Sequence, residues 1–75
     1  MKTLDDLKIG ESSLVESLQG EQVFQDRLMD LGILPGTRVT LVRRASMGGP
    51  LEIRLRSYHL AIRRNDAKKI LFRMS

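Results

Sequence analysis

The 75-residue sequence contains no cysteine, one histidine and only three aromatic residues, and each scarcity removes a class of protein. Without cysteine there is neither a disulfide nor a thiolate metal site, which suits a reducing compartment and makes the cytosol the expected location. The aromatics are Phe24, Tyr58 and Phe72, too few to stack exposed bases. No apolar run is long enough to cross a bilayer, and the N-terminal MKTLDDLKIGESS carries acidic residues where a signal peptide needs an unbroken apolar stretch. No nucleophile comes with a base and no carboxylate pair shares a face, so the sequence argues against an enzyme with a small-molecule substrate.

Metal chemistry is equally thin. His59 is a lone imidazole on a strand face, expected to be satisfied or solvated rather than a ligand. Met1, Met29, Met47 and Met74 are scattered, and thioethers are soft donors that hold harder cations poorly, so ordinary packing is expected. Asp5 and Asp6 form one small acidic pair without a cage, better read as a helix start. Gly48-Gly49-Pro50 precedes no lysine-bearing helix and is therefore a hairpin loop, not a phosphate cradle. Neither a cofactor nor a metal is expected.

What is present begins with charge. Residues 1–30 hold three Lys/Arg against seven Asp/Glu, a net of −4, whereas residues 31–75 hold ten against two, a net of +8. Such asymmetry suggests opposed acidic and basic surfaces, or else a solvated face, and bears on partners rather than on fold.

The most informative stretch is RLMDLGILPGT, residues 27–37. Phe24, Leu28 and Leu31 fall on one helix face, which must be buried. Gly32 stands where a helix ends in a left-handed residue, and Pro35-Gly36 favours a type II turn into an extended strand. Leu28, Leu31, Gly32, Pro35 and Gly36 are thus structural first. In so tight a connection Ile33 and Leu34 cannot both point inward, and Leu34 is the one expected outside as an apolar contact.

Around this motif, Thr3 caps a short turn over residues 4–7, ended at Gly10, and residues 13–18 form a first strand. A helix follows over 22–31 and a second strand over 37–45, in which Val39 and Leu41 oppose Arg38 and Thr40. Leu51, Ile53 and Leu55 alternate beyond the loop 46–50, and Ser57-Tyr58-His59 connects to a fourth strand bearing Leu60 and Ile62. Asn65 or Asp66 caps a single turn through Lys68, and residues 70–73 return as a last short strand. The fold class is mainly β: a small barrel of about five strands with one helical insertion, in a single domain spanning 1–75 that buries about 60% of its unfolded surface. The expected interior is Leu7, Val15, Phe24, Leu28, Leu31, Val39, Leu41, Ile53, Leu55, Leu60, Ile62, Ala67 and Ile70, with Phe72 able to join it.

Arg27-Leu28-x-Asp30-Leu31-Gly32-Ile33-x-Pro35-Gly36, then Val39, Gly49-Pro50-Leu51-x-Ile53, Leu60-Ala61-Ile62-Arg63-Arg64 and Ala67-x-x-Ile70 together resemble the ferrous iron transport protein A family, FeoA, over nearly the whole chain. Departures lie in the hairpins, where Ser46-Met47-Gly48 and Ser57-Tyr58 differ from the family's usual turns. The resemblance implies an SH3-like barrel with a helical insertion, in a small bacterial cytosolic accessory of the GTPase-containing ferrous iron permease FeoB at the inner membrane. A similar domain ends repressors of the diphtheria toxin repressor type, which attaches a transition-metal association to the family.

The residues offer a protein-binding surface: Leu34, Met47 and Pro50 for apolar contact, and Arg43, Arg44, Arg54 and Arg56 to steer toward an acidic partner. The alternative is a nucleic-acid-binding small basic barrel, against which the missing aromatics argue. Contact of the same cations with anionic inner-leaflet lipids is compatible with the first reading.

Overall fold

The computed structural model describes residues 2–73; Met1 and Met74 lie outside the described residues. A 3-10 turn at Leu4–Asp6 precedes β1 (Ser12–Leu18), α1 (Gln22–Asp30), β2 (Arg38–Arg44), β3 (Leu51–Leu55), β4 (Tyr58–Ile62), the one-turn α2 (Arg64–Ala67) and β5 (Ile70–Phe72). The strands form one antiparallel sheet in the order β4-β3-β2-β1-β5. Irregularities between Val15 and Ser17 and between Leu41 and Arg43 bend the strands, which lets a sheet of five curl around one core. The free side of β5 is met by the N-terminal segment: Thr3 bridges Leu71, and the Phe72 N–H donates to the Lys2 carbonyl at 2.8 Å.

Period-two alternation places the core. Leu51, Ile53 and Leu55 point inward from β3 while Arg54 points out, and Val39 and Leu41 do the same from β2. Thr40 faces the other way yet is covered, its hydroxyl 2.6 Å from that of Ser12 on β1. Phe72, Leu4, Leu7, Val15 and Ile70 complete a cluster that every element except α2's polar turn residues feeds.

Several expectations are corrected. Leu31 lies partly in solvent, because the chain reverses at Gly32 and Ile33, wholly buried, takes the inward place beside Leu28. Phe24 and Leu60 are half-buried and pack against the core from its rim. Leu4, Leu51 and Leu71 are buried although absent from the expected interior. The β3–β4 connection is Arg56-Ser57, since Leu55 pairs directly with Tyr58, so Tyr58 and His59 belong to the strand. The short helical turn starts at Arg64.

The acidic N-terminal segment is tied down by cations from the basic half. Asp6 closes the 3-10 turn, its carboxylate accepting from the Thr3 N–H at 2.9 Å and the Thr3 hydroxyl at 3.2 Å. Asp5 Oδ1 accepts from Arg44 Nη1 at 3.2 Å and Arg64 Nε at 3.1 Å. Burial pushes the Asp5 carboxyl up, but the hydrogen bonds and charges of Arg64 and Arg44 outweigh it, and the group titrates below its ordinary 3.8. A folded pKa below the unfolded one adds stability that is present above the ordinary carboxylate range and lost as pH falls through the lowered value. Asp5→Asn should therefore lower the urea midpoint at neutral pH, and its gap from the unaltered chain should narrow sharply by about pH 2. An equal gap at both pH values would show that this ion pair is not the origin.

Candidate functional site

The connection from α1 to β2 is built by backbone hydrogen bonds. The Ile33 N–H donates to the Leu28 carbonyl at 3.0 Å and the Gly32 N–H to that of Met29 at 2.9 Å, with Gly32 at φ +97°. This is the pattern of a Schellman closure, and Leu28 and Ile33 supply its usual apolar contact. The Thr37 N–H then donates to the Leu34 carbonyl at 2.9 Å, with Gly36 at φ +90°, as a type II turn with Pro35 in its first central position requires. The turn is fastened to β1, where the Gly36 N–H donates to Val15 at 2.7 Å and the Val15 N–H to Thr37 at 2.9 Å. Ile33 fills the core and Leu34 remains 39% exposed.

The β2–β3 loop turns at Ser46-Met47-Gly48-Gly49. Met47 (φ 60°) and Gly48 (φ 74°) both have positive φ, and the Gly49 N–H donates to the Ser46 carbonyl at 3.2 Å, as in a type I′ hairpin turn. Gly49 has no room for a side chain, since an added Cβ would stand 2.8 Å from the Ala45 Cβ. Met47 is fully exposed at the tip, an uncommon backbone position for a bulky apolar residue.

The seven expected partner-binding residues separate into three places. Met47, Pro50 and Arg43 lie at the loop end of the β2–β3 hairpin, where Arg43 Nη2 approaches Glu52 at 3.2 Å and His59 Nδ1 meets the same carboxylate at 3.4 Å. Arg54 and Arg56 lie farther along the hairpin, two and four residues beyond Glu52, the partner of Arg43, so that Arg56 stands about 20 Å from Pro50 at strand rise per residue; Leu34 is on the turn that leads into β2 at that end. Arg44 is in neither group. Its guanidinium turns to Asp5 and to the carbonyls of Asp5 and Leu7, so it fastens the N-terminal segment instead of steering from the surface.

Arg38 was absent from the expected set and belongs with Arg54 and Arg56. The signal was available in the alternation of β2, but only the register with β3 makes these three neighbours. The charge asymmetry between the halves is partly cancelled in space, since Arg73 meets Glu16, and Arg44 and Arg64 meet Asp5; Lys2 meets Glu11 within the acidic half. The Lys2 hydrogen bond, helped by the Lys8 N–H, holds the Glu11 carboxyl below its ordinary value. Among the described residues no three His, Cys, Asp or Glu side chains converge as a metal site, and no helix is long and apolar enough to cross a membrane.

Comparison with known proteins agrees with this architecture. The FeoA domain family matches residues 2–74. A Porphyromonas gingivalis protein, a fusion of Fe(2+) transport protein A with the Fe(2+) transporter FeoB, is 31% identical over 67 residues, 89% of this chain; the chain spans 8% of that relative's length. The solution structure of FeoA from Chlorobium tepidum superposes with a TM-score of 0.86 at 36% identity, covering 93% of this chain and 67% of the other. The zinc-complexed FeoA of Stenotrophomonas maltophilia, a prokaryotic SH3-domain protein, gives 0.84 at 28% identity over 97% of this chain and 91% of its own. With its five-stranded SH3-like sheet and a family match over nearly its whole length, the chain belongs to the FeoA family, whose association is with ferrous iron transport.

Proposed function

We propose that this chain is a non-enzymatic accessory of bacterial ferrous iron uptake that docks on the cytosolic portion of the permease FeoB, at the cytoplasmic face of the inner membrane. The observation that carries the reading is the Porphyromonas gingivalis relative, in which the two proteins are one polypeptide. A covalent link keeps two domains at millimolar effective concentration. Linked or not, the domain needs a surface that recognises its partner.

That surface includes Leu34, which the Schellman closure and the type II turn hold outward on a backbone pinned to β1. An apolar side chain on a rigid turn loses little entropy on binding. Iron is cargo of the partner in this reading, and no bond is made or broken by the chain. Leu34→Asp should reduce co-purification of FeoB by about tenfold or more while leaving the thermal midpoint nearly unchanged. Unchanged co-purification would remove Leu34 from the contact, and failure of the unaltered chain to bind FeoB would remove the partner.

A further inference from the structure

The strand register gathers Arg38, Arg54 and Arg56 on the outer face of the sheet. Thr40 lies opposite Arg54, Arg38 is two residues before the one and Arg56, the first residue of the β3–β4 turn, two after the other; Arg38 and Arg54 point away from the core by strand alternation, and all three are exposed. With Gly36, Thr37 and Thr40 they line an open cleft of about 440 Å³. Arg43, Arg44, Arg64 and Arg73 each meet a carboxylate. Among the described residues, Arg38, Arg54 and Arg56 meet none, and the acid closest in sequence on β3, Glu52, is held by Arg43 and His59.

Two features make this cluster costly to the fold. Like charges side by side on a sheet repel, and Arg56 sits at φ 55°, where glycine is far less strained. The strained backbone of Arg56 closes the two-residue hairpin between Leu55 and Tyr58, yet an arginine stands there in place of glycine or asparagine, and strained positions gather where a surface works.

We propose that the Arg38–Arg54–Arg56 face binds the carboxylates of an acidic, partly apolar polypeptide segment. The inference rests on the reading of the chain as a protein-binding accessory and names the chemistry of what it grips. Guanidinium forks match carboxylates bidentately, and half-exposed Leu34, on the turn edging the cleft, supplies an apolar contact beside them. A nucleic-acid strand fits less well because the face has no aromatic residue. Tyr58 turns the other way, pairing with Leu55 and donating its hydroxyl to the Leu31 carbonyl, while Phe72 is buried and Phe24 half-buried. A lipid surface fits less well because the fully exposed Met47 projects from the far end of the hairpin.

The test measures binding of the intact chain and of the triple variant Arg38→Gln, Arg54→Gln, Arg56→Gln. Four probes are used: a labelled Glu-rich peptide with interspersed leucines, the cytosolic portion of FeoB, vesicles containing phosphatidylglycerol, and a single-stranded DNA oligonucleotide. The peptide should bind with an affinity that falls as salt rises, each single substitution should weaken it about 2- to 5-fold, and the triple variant about 10- to 100-fold. The triple variant should melt at or above the unaltered chain, since it loses only mutual repulsion. A lower midpoint would mark the arginines as structural and overturn the proposal, as would tighter binding of vesicles or DNA than of peptide. If FeoB binds both chains equally, the arginine face is overturned and the permease reading stands. If the peptide binds through these arginines and FeoB does not bind at all, the face stands and the permease reading falls.

Discussion

Gly32→Ala is expected to destabilise the fold by about 2–4 kcal/mol, a fall of roughly 10–25 °C in melting temperature for a domain of this size. Two causes add. At φ +97° an L-residue bears a steric penalty of about 1–2 kcal/mol. In addition, the new Cβ would stand 2.5 Å from the Tyr58 hydroxyl oxygen, closer than any carbon tolerates. The tyrosine must move, and its hydrogen bond to the Leu31 carbonyl, worth about 1 kcal/mol net, is weakened or lost. Tyr58→Phe separates the causes, because the next atom, Leu55 Cδ1, is at an ordinary 3.5 Å. In that background Gly32→Ala should cost only about 1–2 kcal/mol. An equal cost in both backgrounds would dismiss the clash, and a cost under about 0.5 kcal/mol in the unaltered chain would dismiss the left-handed closure as a stabilising element.

Phe72→Ala should cost about 3–5 kcal/mol, set against a total of about 4–11 kcal/mol expected for a domain of this length. Phe72 is fully buried, pairs with Val15 across β1 and takes the Lys2 carbonyl through its N–H. Its side chain belongs to the same core cluster as Leu4 and Leu7. The loss should therefore fall first on the N-terminal segment, whose amides around Leu4 and Leu7 should lose hydrogen-exchange protection before those of β2 and β3. Phe72→Leu, which leaves a smaller void, should cost about 1–1.5 kcal/mol and keep that protection. A uniform loss across all strands would show that the segment has no separate dependence on this residue.

These residues also show which parts of the structure were legible beforehand. The helix stop at Gly32, the Leu34-Pro35-Gly36-Thr37 turn and the β2–β3 hairpin were readable because each depends on backbone preferences of residues within a few positions of one another. The inward sets on β2 and β3 were readable because a strand alternates strictly. The connection between β3 and β4 ends two residues earlier than expected, at Ser57 instead of His59, since Arg56 accepts positive φ without being the glycine or asparagine that announces it.

Contacts across long sequence separations were not readable in this way. Leu31 and Ile33 carry the same apolar signal, and the direction of the chain after Gly32 decides which is buried. Arg44 and Arg54 look alike as alternating strand arginines. Arg44 comes within reach of Asp5, 39 residues away, whereas Arg54 faces open solvent beside Arg38 and Arg56. Local sequence therefore determined where the chain turns at Gly32, Pro35-Gly36 and the β2–β3 loop and which faces of β2 and β3 point inward, because φ restriction and side-chain period act between neighbours. Only the tertiary structure decided which charges are neutralised and which stand free, because that depends on strand register and on what the N-terminal segment covers.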